Sequence, residues 1–238
     1  MGKRRALGQH YLVDPSIVQL MIETAGIEQD ERVLEIGTGR GVLTERLCEL
    51  SNHVEAFELD DDNYLATKRR AKEGLDLHLG DAFSARPTFD VLVSSIPYSE
   101  SSSFVEWLSQ RKYNRAIVIL QKEFVEKLMS EPHKKSYRAI SVVFQMSSSI
   151  RVAGDVDRGS FAPPPRVSSV LVVIEPTETL TPLEIRSVKL LFSQKKKKLG
   201  VALKQLGFGD DKVTAEELSR RVWDLSALEI RDLLRAID

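Results

Sequence analysis

The feature that most constrains the fold is a glycine-rich stretch near the start of the chain, residues 33–44. It reads VLEIGTGRGVLT, which combines a short apolar strand, a turn with three glycines and the first residues of a helix. A glycine turn between a strand and a helix brings bare backbone close to a ligand, with N–H groups pointing toward it. The stretch therefore predicts an α/β fold that holds a nucleotide-like ligand at this turn.

Two details of the turn favour S-adenosylmethionine (AdoMet) over a dinucleotide as that ligand. The glycines are spaced Gly37-x-Gly39-x-Gly41, whereas pyrophosphate-binding turns have the pattern G-x-G-x-x-G. An acidic residue, Glu35, stands two positions before the first glycine. AdoMet is a cation without phosphates, so it suits a turn with a carboxylate beside it.

After this turn, strand-like apolar segments alternate with segments of helical periodicity. The predicted strands are residues 32–36, 53–58, 75–79, 89–94 and 116–120, followed by an antiparallel pair at 140–146 and 167–174. This alternation indicates an α/β fold with a doubly wound, Rossmann-like sheet whose strands are mostly parallel. Such sheets bind ligands beyond the carboxyl ends of their strands, so polar residues at those ends are candidate site residues.

The pattern changes after residue 176, where only helical periodicity remains. The predicted helices are residues 182–192, 195–206, 215–221 and 227–236, each with apolar residues three and four positions apart. We therefore predict two domains. Residues 1–176 form an AdoMet-dependent methyltransferase domain that begins with a basic arm at 1–13, and residues 177–238 form a small helical domain.

The charge balance limits how the chain can contact nucleic acid. Its formal net charge is −1, whereas dedicated nucleic-acid binders are often strongly basic, so any such contact must use local patches. The candidate phosphate contacts are Lys3, Arg4, Arg5, Lys195, Lys196, Lys197 and Lys198. With the second of these clusters, the helical domain is predicted to contact nucleic-acid phosphates, and the family resemblance given below implies that this nucleic acid is RNA. The alternative is that both clusters are ordinary solvated faces.

Cysteine, histidine and hydropathy content exclude several classes of site. The single cysteine, Cys48, excludes an internal disulfide and indicates a reducing, cytoplasmic environment. The four histidines are scattered without metal-ligand spacing, so no metal site is predicted. No apolar run approaches the roughly 20 residues that a bilayer span requires, and no membrane partner is expected.

Three acidic residues are candidate cofactor ligands. Glu58 lies at the end of the second predicted strand, 21 residues after Gly37, where a carboxylate can accept both ribose hydroxyls of an adenosine. Asp81 follows the third strand and can accept from the adenine amine, and Glu35 is expected near the methionine part of AdoMet. The alternatives are that Glu58 caps the next helix and that Asp81 only stabilises its own turn.

The segment Ser95-Ile96-Pro97-Tyr98, at the end of the fourth predicted strand, indicates the reaction. The serine oxygen and a backbone carbonyl can accept both hydrogens of an adenine amine, while the tyrosine ring stacks on the base. Holding those hydrogens directs the nitrogen lone pair toward the sulfonium methyl, so positioning can replace a general base. Phe161, which begins Phe161-Ala162-Pro163-Pro164-Pro165, is predicted to wall the far side of a flipped base. The alternative is that both segments are only stiff, packed loops.

Together these motifs give the chain a family resemblance along nearly its whole length. It resembles the KsgA-type ribosomal RNA adenine dimethyltransferases, whose relatives include the Erm enzymes and the mitochondrial B-type transcription factors. The motifs that carry the resemblance are Leu7-Gly8-Gln9-His10-Tyr11-Leu12, Glu35-Ile36-Gly37-Thr38-Gly39-Arg40-Gly41, Glu58-Leu59-Asp60, Gly80-Asp81-Ala82, Ile96-Pro97-Tyr98, Leu120-Gln121-Lys122-Glu123, Phe161-Ala162-Pro163-Pro164-Pro165-Arg166-Val167 and Phe192-Ser193-Gln194-Lys195-Lys196.

The resemblance implies N6-dimethylation of two adjacent adenosines near the 3′ end of small-subunit rRNA, with AdoMet as donor. It also implies that the enzyme acts on a partly assembled subunit during ribosome assembly and that it is a monomer. The implied catalytic residues are Ser95, Pro97, Tyr98 and Phe161. The implied cofactor contacts are Leu12, Gly37, Glu58 and Asp81, joined by Gln9, His10, Glu35, Gly39, Leu59, Ala82 and Ser95.

Two positions depart from the family's pattern. The family usually has asparagine where this chain has His10 and Ser95. Serine is shorter than asparagine and can also donate a hydrogen, so we expect an activity that is slower or that stops after one methyl. The alternative function is a ribosome-assembly or RNA-binding factor that keeps the fold but catalyses weakly. A small-molecule methyltransferase is disfavoured, because a small substrate needs neither the basic arm nor the helical domain.

Overall fold

The computed structural model describes residues 10–237, and these residues form two compact units. The first unit comprises the chain up to Phe104 together with Lys112–Glu123 and Ile150–Pro176, and the second comprises Val105–Arg111, Phe124–Ser149 and the chain from Thr177 onward. The second unit therefore includes two segments that precede residue 177. The predicted contacts Lys3, Arg4, Arg5 and Gln9 lie outside the described residues.

The first unit contains a mixed sheet of seven strands, in the spatial order β4-β3-β2-β5-β6-β9-β7, and a separate two-stranded sheet of β1 and β8. The strands are β1 (Tyr11–Leu12), β2 (Arg32–Ile36), β3 (His53–Glu58), β4 (Leu75–Leu79), β5 (Val91–Ser95), β6 (Arg115–Gln121), β7 (Ser148–Val156), β8 (Phe161–Ala162) and β9 (Ser169–Pro176). Strands β2 to β6 pair in parallel, and β9 pairs antiparallel with β6. The predicted doubly wound α/β sheet is confirmed.

The order of the strands determines at which edge of the sheet a ligand can bind. From β2 the chain proceeds through β3 to β4 on one side, and then returns to β5 on the other side of β2. The carboxyl ends of β2 and β5 therefore diverge at the point where the winding reverses, which is where open α/β sheets bind ligands. Strands β2, β5 and β6 are almost wholly buried, as expected for parallel strands covered on both faces.

The helices are α1 (Pro15–Ala25), α2 (Val42–Leu47), α3 (Asp61–Lys68), α4 (Ser101–Leu108), α5 (Lys122–Leu128), α6 (Ala139–Ser147), α7 (Pro182–Ser193), α8 (Leu199–Leu206), α9 (Ala215–Ser219) and α10 (Ala227–Ile237). Helix α1 shows why the chain folds as it does locally. Asp14 caps its first turn by accepting from the Ser16 N–H, Pro15 occupies its first position, and Gly26 ends it with φ +52°. Its buried face joins the core formed by β2, β5 and β6.

One predicted strand is wrong. Residues 140–146 belong to helix α6, and the strand follows it as β7, Ser148–Val156. Val142, Val143, Phe144 and Met146 are all buried in the helical unit. A helix that is buried on most of its circumference has a continuous apolar sequence, and so does a strand that is buried on both faces. The spacing of apolar residues therefore does not distinguish the two.

The second unit has its own hydrophobic core, built mainly from α6, α7, α8 and α10, and this core includes the edge-to-face ring pair of Tyr137 and Phe192. Helix α7 begins with a capping box, in which Thr181 and Glu184 satisfy each other's backbone N–H groups. The predicted helix 195–206 begins only at Leu199. Lys198 instead has extended backbone and forms an isolated antiparallel bridge with Arg221. Within residues 10–237, no helix has the length and apolar character that a membrane span requires.

Candidate active site

A cleft that is partly open to solvent lies at the carboxyl ends of β2, β3 and β5 in the first unit. The residues that line it are His10, Tyr11, Leu12, Glu35, Gly37, Thr38, Gly39, Arg40, Val42, Leu43, Glu58, Asn63, Ser95, Ile96, Pro97, Tyr98 and Phe161. Every residue predicted to be catalytic is in this set.

The glycine turn forms the floor of the cleft. Gly37, Gly39 and Gly41 have φ values of +79°, +54° and +78°, which side chains rarely permit. A Cβ on Gly37 would project into open space, whereas a Cβ on Gly39 would lie 3.1 Å from the Tyr11 ring. The turn therefore leaves bare backbone at Gly37 facing the cleft and lets the Tyr11 ring close over Gly39.

Glu58 holds the turn to the end of β3. Its side chain is 5% exposed, and Oε1 accepts from the backbone N–H groups of Leu59 and Asp60, each at 2.9 Å. Oε2 accepts from the Gly39 N–H at 2.8 Å and from the Thr38 hydroxyl at 3.5 Å. Since the Thr38 contact is long, Oε2 keeps acceptor capacity for a ligand hydroxyl.

Glu35, on β2, is the most buried acid of the cleft. Its side chain is 1% exposed, and its Oε2 has no hydrogen-bond partner among the described residues. Burial, reinforced by the nearby charge of Glu58, raises the pKa of Glu35 to about 8. A buried carboxyl with a free oxygen favours a ligand cation, because the cation would compensate the charge that burial penalises.

The segment Ser95-Ile96-Pro97-Tyr98 follows β5 and forms one wall. Ile96 is buried and fixes the segment, while Ser95, Pro97 and Tyr98 are half-buried along the cleft. The Tyr98 hydroxyl is hydrogen-bonded to the hydroxyl of Ser169, the first residue of β9. Burial raises the pKa of Tyr98, so its hydroxyl stays neutral and its ring is held by this bond.

The opposite wall is the small β1–β8 ribbon, in which Tyr11 pairs with Ala162 and Leu12 with Phe161. Phe161 is 3% exposed and packs into the core of the unit while it lines the cleft. His10 continues the ribbon, with its Nδ1 at 2.7 Å from the Pro163 carbonyl oxygen. Its ring lies 5.6 Å from the Tyr98 ring, between their centroids, so the two walls meet there.

A family model described as ribosomal RNA adenine dimethylase matches residues 1–229. The chain belongs to this family. The predicted membership, and with it the prediction of an adenine dimethyltransferase, is confirmed at the level of the family. The sheet order and the position of the cleft agree with the Rossmann-like methyltransferase fold that the sequence indicated.

Similar proteins of the ribosomal RNA adenine dimethylase family match nearly the whole chain. A probable ribosomal RNA small subunit methyltransferase A from Methanothermobacter thermautotrophicus is 32% identical, over 99% of this chain and 91% of that protein. Ribosomal RNA small subunit methyltransferase A from Thermotoga neapolitana is 34% identical, over 97% of this chain and 90% of that protein. The crystal structure of a dimethyladenosine transferase from Plasmodium falciparum matches with a TM-score of 0.80 and 27% identity, covering 95% of this chain and 96% of that one.

Three of the residues predicted to contact the cofactor, Leu59, Asp81 and Ala82, do not line the cleft. The Asp81 carboxylate accepts from the Phe83 N–H at 2.9 Å and from the Ser84 hydroxyl at 2.7 Å, so it stabilises its own turn. Leu59 is 60% exposed and Ala82 is buried. Their roles toward a cofactor stay predictions.

Seven lining residues were not among the predicted contacts: Tyr11, Thr38, Arg40, Val42, Leu43, Asn63 and Ile96. The Arg40 guanidinium lies 5.0 Å from the centre of the Tyr11 ring and covers it. Thr38 and Arg40 stand between the glycines and could have been included as parts of the same turn. Tyr11 belongs to the motif of residues 7–12 that carries the family resemblance, but it was not singled out as a contact. Asn63 gave no local signal, because tertiary packing brings it to the cleft.

The predicted RNA contacts Lys195–Lys198 lie in the second unit, where Lys195 differs from the others. Its Nζ donates to the Tyr137 carbonyl at 3.0 Å and lies 5.4 Å from the centre of the Trp223 ring. Burial, with the charges of Arg138 and Lys196, lowers the pKa of Lys195. Lys195 is therefore largely a packing residue, while the remaining three lysines are exposed.

Proposed function

We propose that this protein transfers methyl groups from AdoMet to N6 of two adjacent adenosines near the 3′ end of small-subunit rRNA during ribosome assembly. The proposal rests on one observation, which is that three sequence features line the same cleft. They are the glycine turn, the buried acids Glu35 and Glu58, and the segment Ser95–Tyr98. Membership of the ribosomal RNA adenine dimethylase family supports the same substrate class.

The residues of the cleft fit AdoMet as the cofactor. The bare backbone at Gly37 leaves room beside the turn, and the partnerless Glu35 oxygen fits a ligand cation. In this proposal Glu58 binds the ribose, Glu35 faces the methionine part, and Leu12 packs against the cofactor from the ribbon. When bound, AdoMet supplies an electrophilic methyl group.

Ser95, Pro97 and Tyr98 position the target adenine. In this proposal the Ser95 hydroxyl and a backbone carbonyl of the segment hold the exocyclic amine, and the Tyr98 ring stacks on the base. The bond from Ser169 fixes the tilt of that ring, so the base is held in one plane. Correct orientation of the attacking nitrogen is the main contribution of such a site. Phe161, on the opposite wall, limits how far the base enters.

The RNA partner extends beyond this cleft. In the proposal, Lys196, Lys197 and Lys198 contact phosphates of the rRNA, as do Lys3, Arg4 and Arg5. The substrate is a partly assembled small subunit, and the protein acts as a monomer in the cytoplasm. The exposed lysines of the second unit support the phosphate contacts.

The test is methyl transfer from labelled AdoMet to undermethylated small subunits, followed by nuclease digestion and mass analysis of the adenosines. Dimethyladenosine at adjacent 3′-end positions is the expected product. Monomethyladenosine alone would show that Ser95 limits the second transfer. No label, with AdoMet and subunits both bound, would favour the alternative of an assembly factor.

The variant Ser95→Asn measures what the shorter side chain costs. Asparagine has a longer reach and offers a carbonyl oxygen that only accepts. We expect the variant to transfer faster, or to shift the product from monomethyl to dimethyladenosine. An unchanged rate and product would show that Ser95 does not hold the amine. Ser99→Asn, at an exposed position four residues later, is the matched control.

A further inference from the structure

Thr67, on helix α3, lies beneath the glycine turn and belongs to none of the sequence motifs. Its side chain is 1% exposed, and it is not among the residues that line the cleft. A Cβ on Gly41 would lie 3.1 Å from Thr67 Oγ1 and 3.3 Å from its Cα, so the turn approaches the helix this closely because residue 41 is glycine. Thr67 can therefore influence a ligand in the cleft only through the turn.

A chain of hydroxyl contacts joins Thr67 to Glu58. Thr67 Oγ1 lies 3.0 Å from Thr38 Oγ1 and 3.4 Å from the Gly39 carbonyl oxygen. Thr38 Oγ1 lies 3.5 Å from Glu58 Oε2, the oxygen that also accepts from the Gly39 N–H. Thr38 and Glu58 are each 5% exposed, so these hydroxyls find their partners within the protein.

This chain of contacts has two arrangements, because each threonine hydroxyl has one hydrogen to donate. In the first, Thr67 donates to Thr38, and Thr38 donates to Glu58 Oε2. In the second, Thr38 donates to Thr67, and Thr67 donates to the Gly39 carbonyl. The two arrangements share the same heavy-atom positions and differ in whether Oε2 receives a hydrogen from Thr38.

The difference matters because Glu58 has little acceptor capacity left. A carboxylate oxygen offers about two acceptor sites. Oε1 accepts from the N–H groups of Leu59 and Asp60, and Oε2 accepts from the Gly39 N–H. The remaining site on Oε2 is the one that Thr38 addresses, so a ribose hydroxyl and the Thr38 hydroxyl compete for it.

We propose that Thr67 is a positioning residue for the cofactor ribose. It accepts the Thr38 hydrogen, passes its own hydrogen to the Gly39 carbonyl, and so leaves the last acceptor site of Glu58 to the ribose. The proposal rests on the proposed function, in which Glu58 binds the ribose of AdoMet. When no ribose is bound, the Thr38 hydrogen turns to Oε2, so the buried carboxylate keeps a donor in both states.

Three substitutions separate this role from packing. Thr67→Val keeps the shape of the side chain and removes the alternative acceptor, Thr67→Ser keeps the hydroxyl, and Thr38→Val removes the competing hydrogen. The probes are S-adenosylhomocysteine, which carries the ribose and cannot transfer a methyl, and its 2′,3′-dideoxy analogue. Calorimetry with the full chain gives both dissociation constants, and their ratio is the ribose preference.

We expect Thr67→Val to lower the ribose preference about fivefold, the size of one ordinary hydrogen bond, and Thr67→Ser to retain it. In a protein that already carries Thr38→Val, the change Thr67→Val should have no further effect, because no hydrogen then competes with the ribose. An equal loss in both backgrounds overturns the proposal, since Thr67 would then act through packing or through Gly39 alone. Equal weakening of both ligands, or no weakening, overturns it as well.

Glu58→Gln tests the proposed function separately. Glutamine replaces one acceptor oxygen by a donor, so this variant should lose the ribose preference. If it keeps the preference, the ribose role of Glu58 fails and the role of Thr67 falls with it. If Glu58→Gln loses the preference while Thr67→Val keeps it, Thr67 alone is refuted. Absence of methyl transfer to small subunits, alongside the expected binding results, refutes the proposed reaction and supports the role of Thr67.

Discussion

Replacing Glu35 by glutamine should make the protein more stable at high pH and weaken its cofactor binding. The ordinary pKa of a glutamate side chain is 4.5, whereas burial raises that of Glu35 to about 8. Between these two values the folded protein binds one more proton than the unfolded chain does. The free energy of unfolding therefore falls as pH rises across this window, and the loss is complete above about pH 8.

The size of the effect follows from the width of the window. Each pH unit changes the free energy of unfolding by about 1.4 kcal/mol while one extra proton is bound in the folded state. From about pH 5.5 to about pH 7.5, Glu35 therefore costs the unsubstituted protein about 2.7 kcal/mol of stability that Glu35→Gln does not lose. This value is an upper bound, because local relaxation and water entry reduce the penalty of burial.

The assay is urea unfolding of both proteins without cofactor at several pH values, with the difference in unfolding free energy plotted against pH. Glu73→Gln, which removes an exposed carboxylate, is the matched control and should run parallel to the unsubstituted protein. Parallel curves for Glu35→Gln as well would refute the reasoning, because they would mean that Glu35 ionises in the folded state as it does in the unfolded chain. Calorimetry should also show that AdoMet binding near pH 7 releases a proton from the unsubstituted protein but not from Glu35→Gln.

Three further predictions concern the walls of the cleft and the RNA contacts. Ser169→Ala should lower the rate of methyl transfer about as much as Tyr98→Phe, and the double variant should be no slower than either, measured in single turnovers, because both remove one hydrogen bond. Gly39→Ala should weaken AdoMet binding in calorimetry by about tenfold or more, since it places a methyl 3.1 Å from the Tyr11 ring at a strained φ of +54°. Replacing Lys196–Lys198 by alanine should weaken subunit binding and reduce its salt slope by about 2, with AdoMet affinity unchanged.

Local patterns in the sequence were sufficient to predict the sheet and the floor of the cleft. The glycine spacing, and the acids at the ends of β2 and β3, are encoded within a few residues of each other. Since parallel strands end at one edge, Glu35, Glu58 and Ser95 could be assigned to one crevice before any contact was known. Residues 140–146 were wrongly predicted to be a strand, because a segment that is buried on nearly all sides shows neither the helical nor the strand spacing of apolar residues.

The second wall could not be derived from the pattern in the same way. The positions of Tyr11 and Leu12 depend on pairing with residues about 150 positions away, and no periodicity in either segment specifies that partner. The same holds for the bond between Tyr98 and Ser169. The role of Asp81 in its own turn was recognised as an alternative, and side-chain geometry was needed to see that its carboxylate is engaged there.

The β1–β8 ribbon has a consequence for how the protein is made. Its two strands stand at opposite ends of the first unit's sequence, and the His10 ring is anchored on Pro163. A nascent chain therefore carries the complete glycine turn long before it can close the cleft, because the second strand of the ribbon is synthesised last among the lining segments. We therefore expect full affinity for the proposed cofactor only after residue 163 has left the exit tunnel. A protein proposed to mature ribosomes thus completes its cleft late in its own translation.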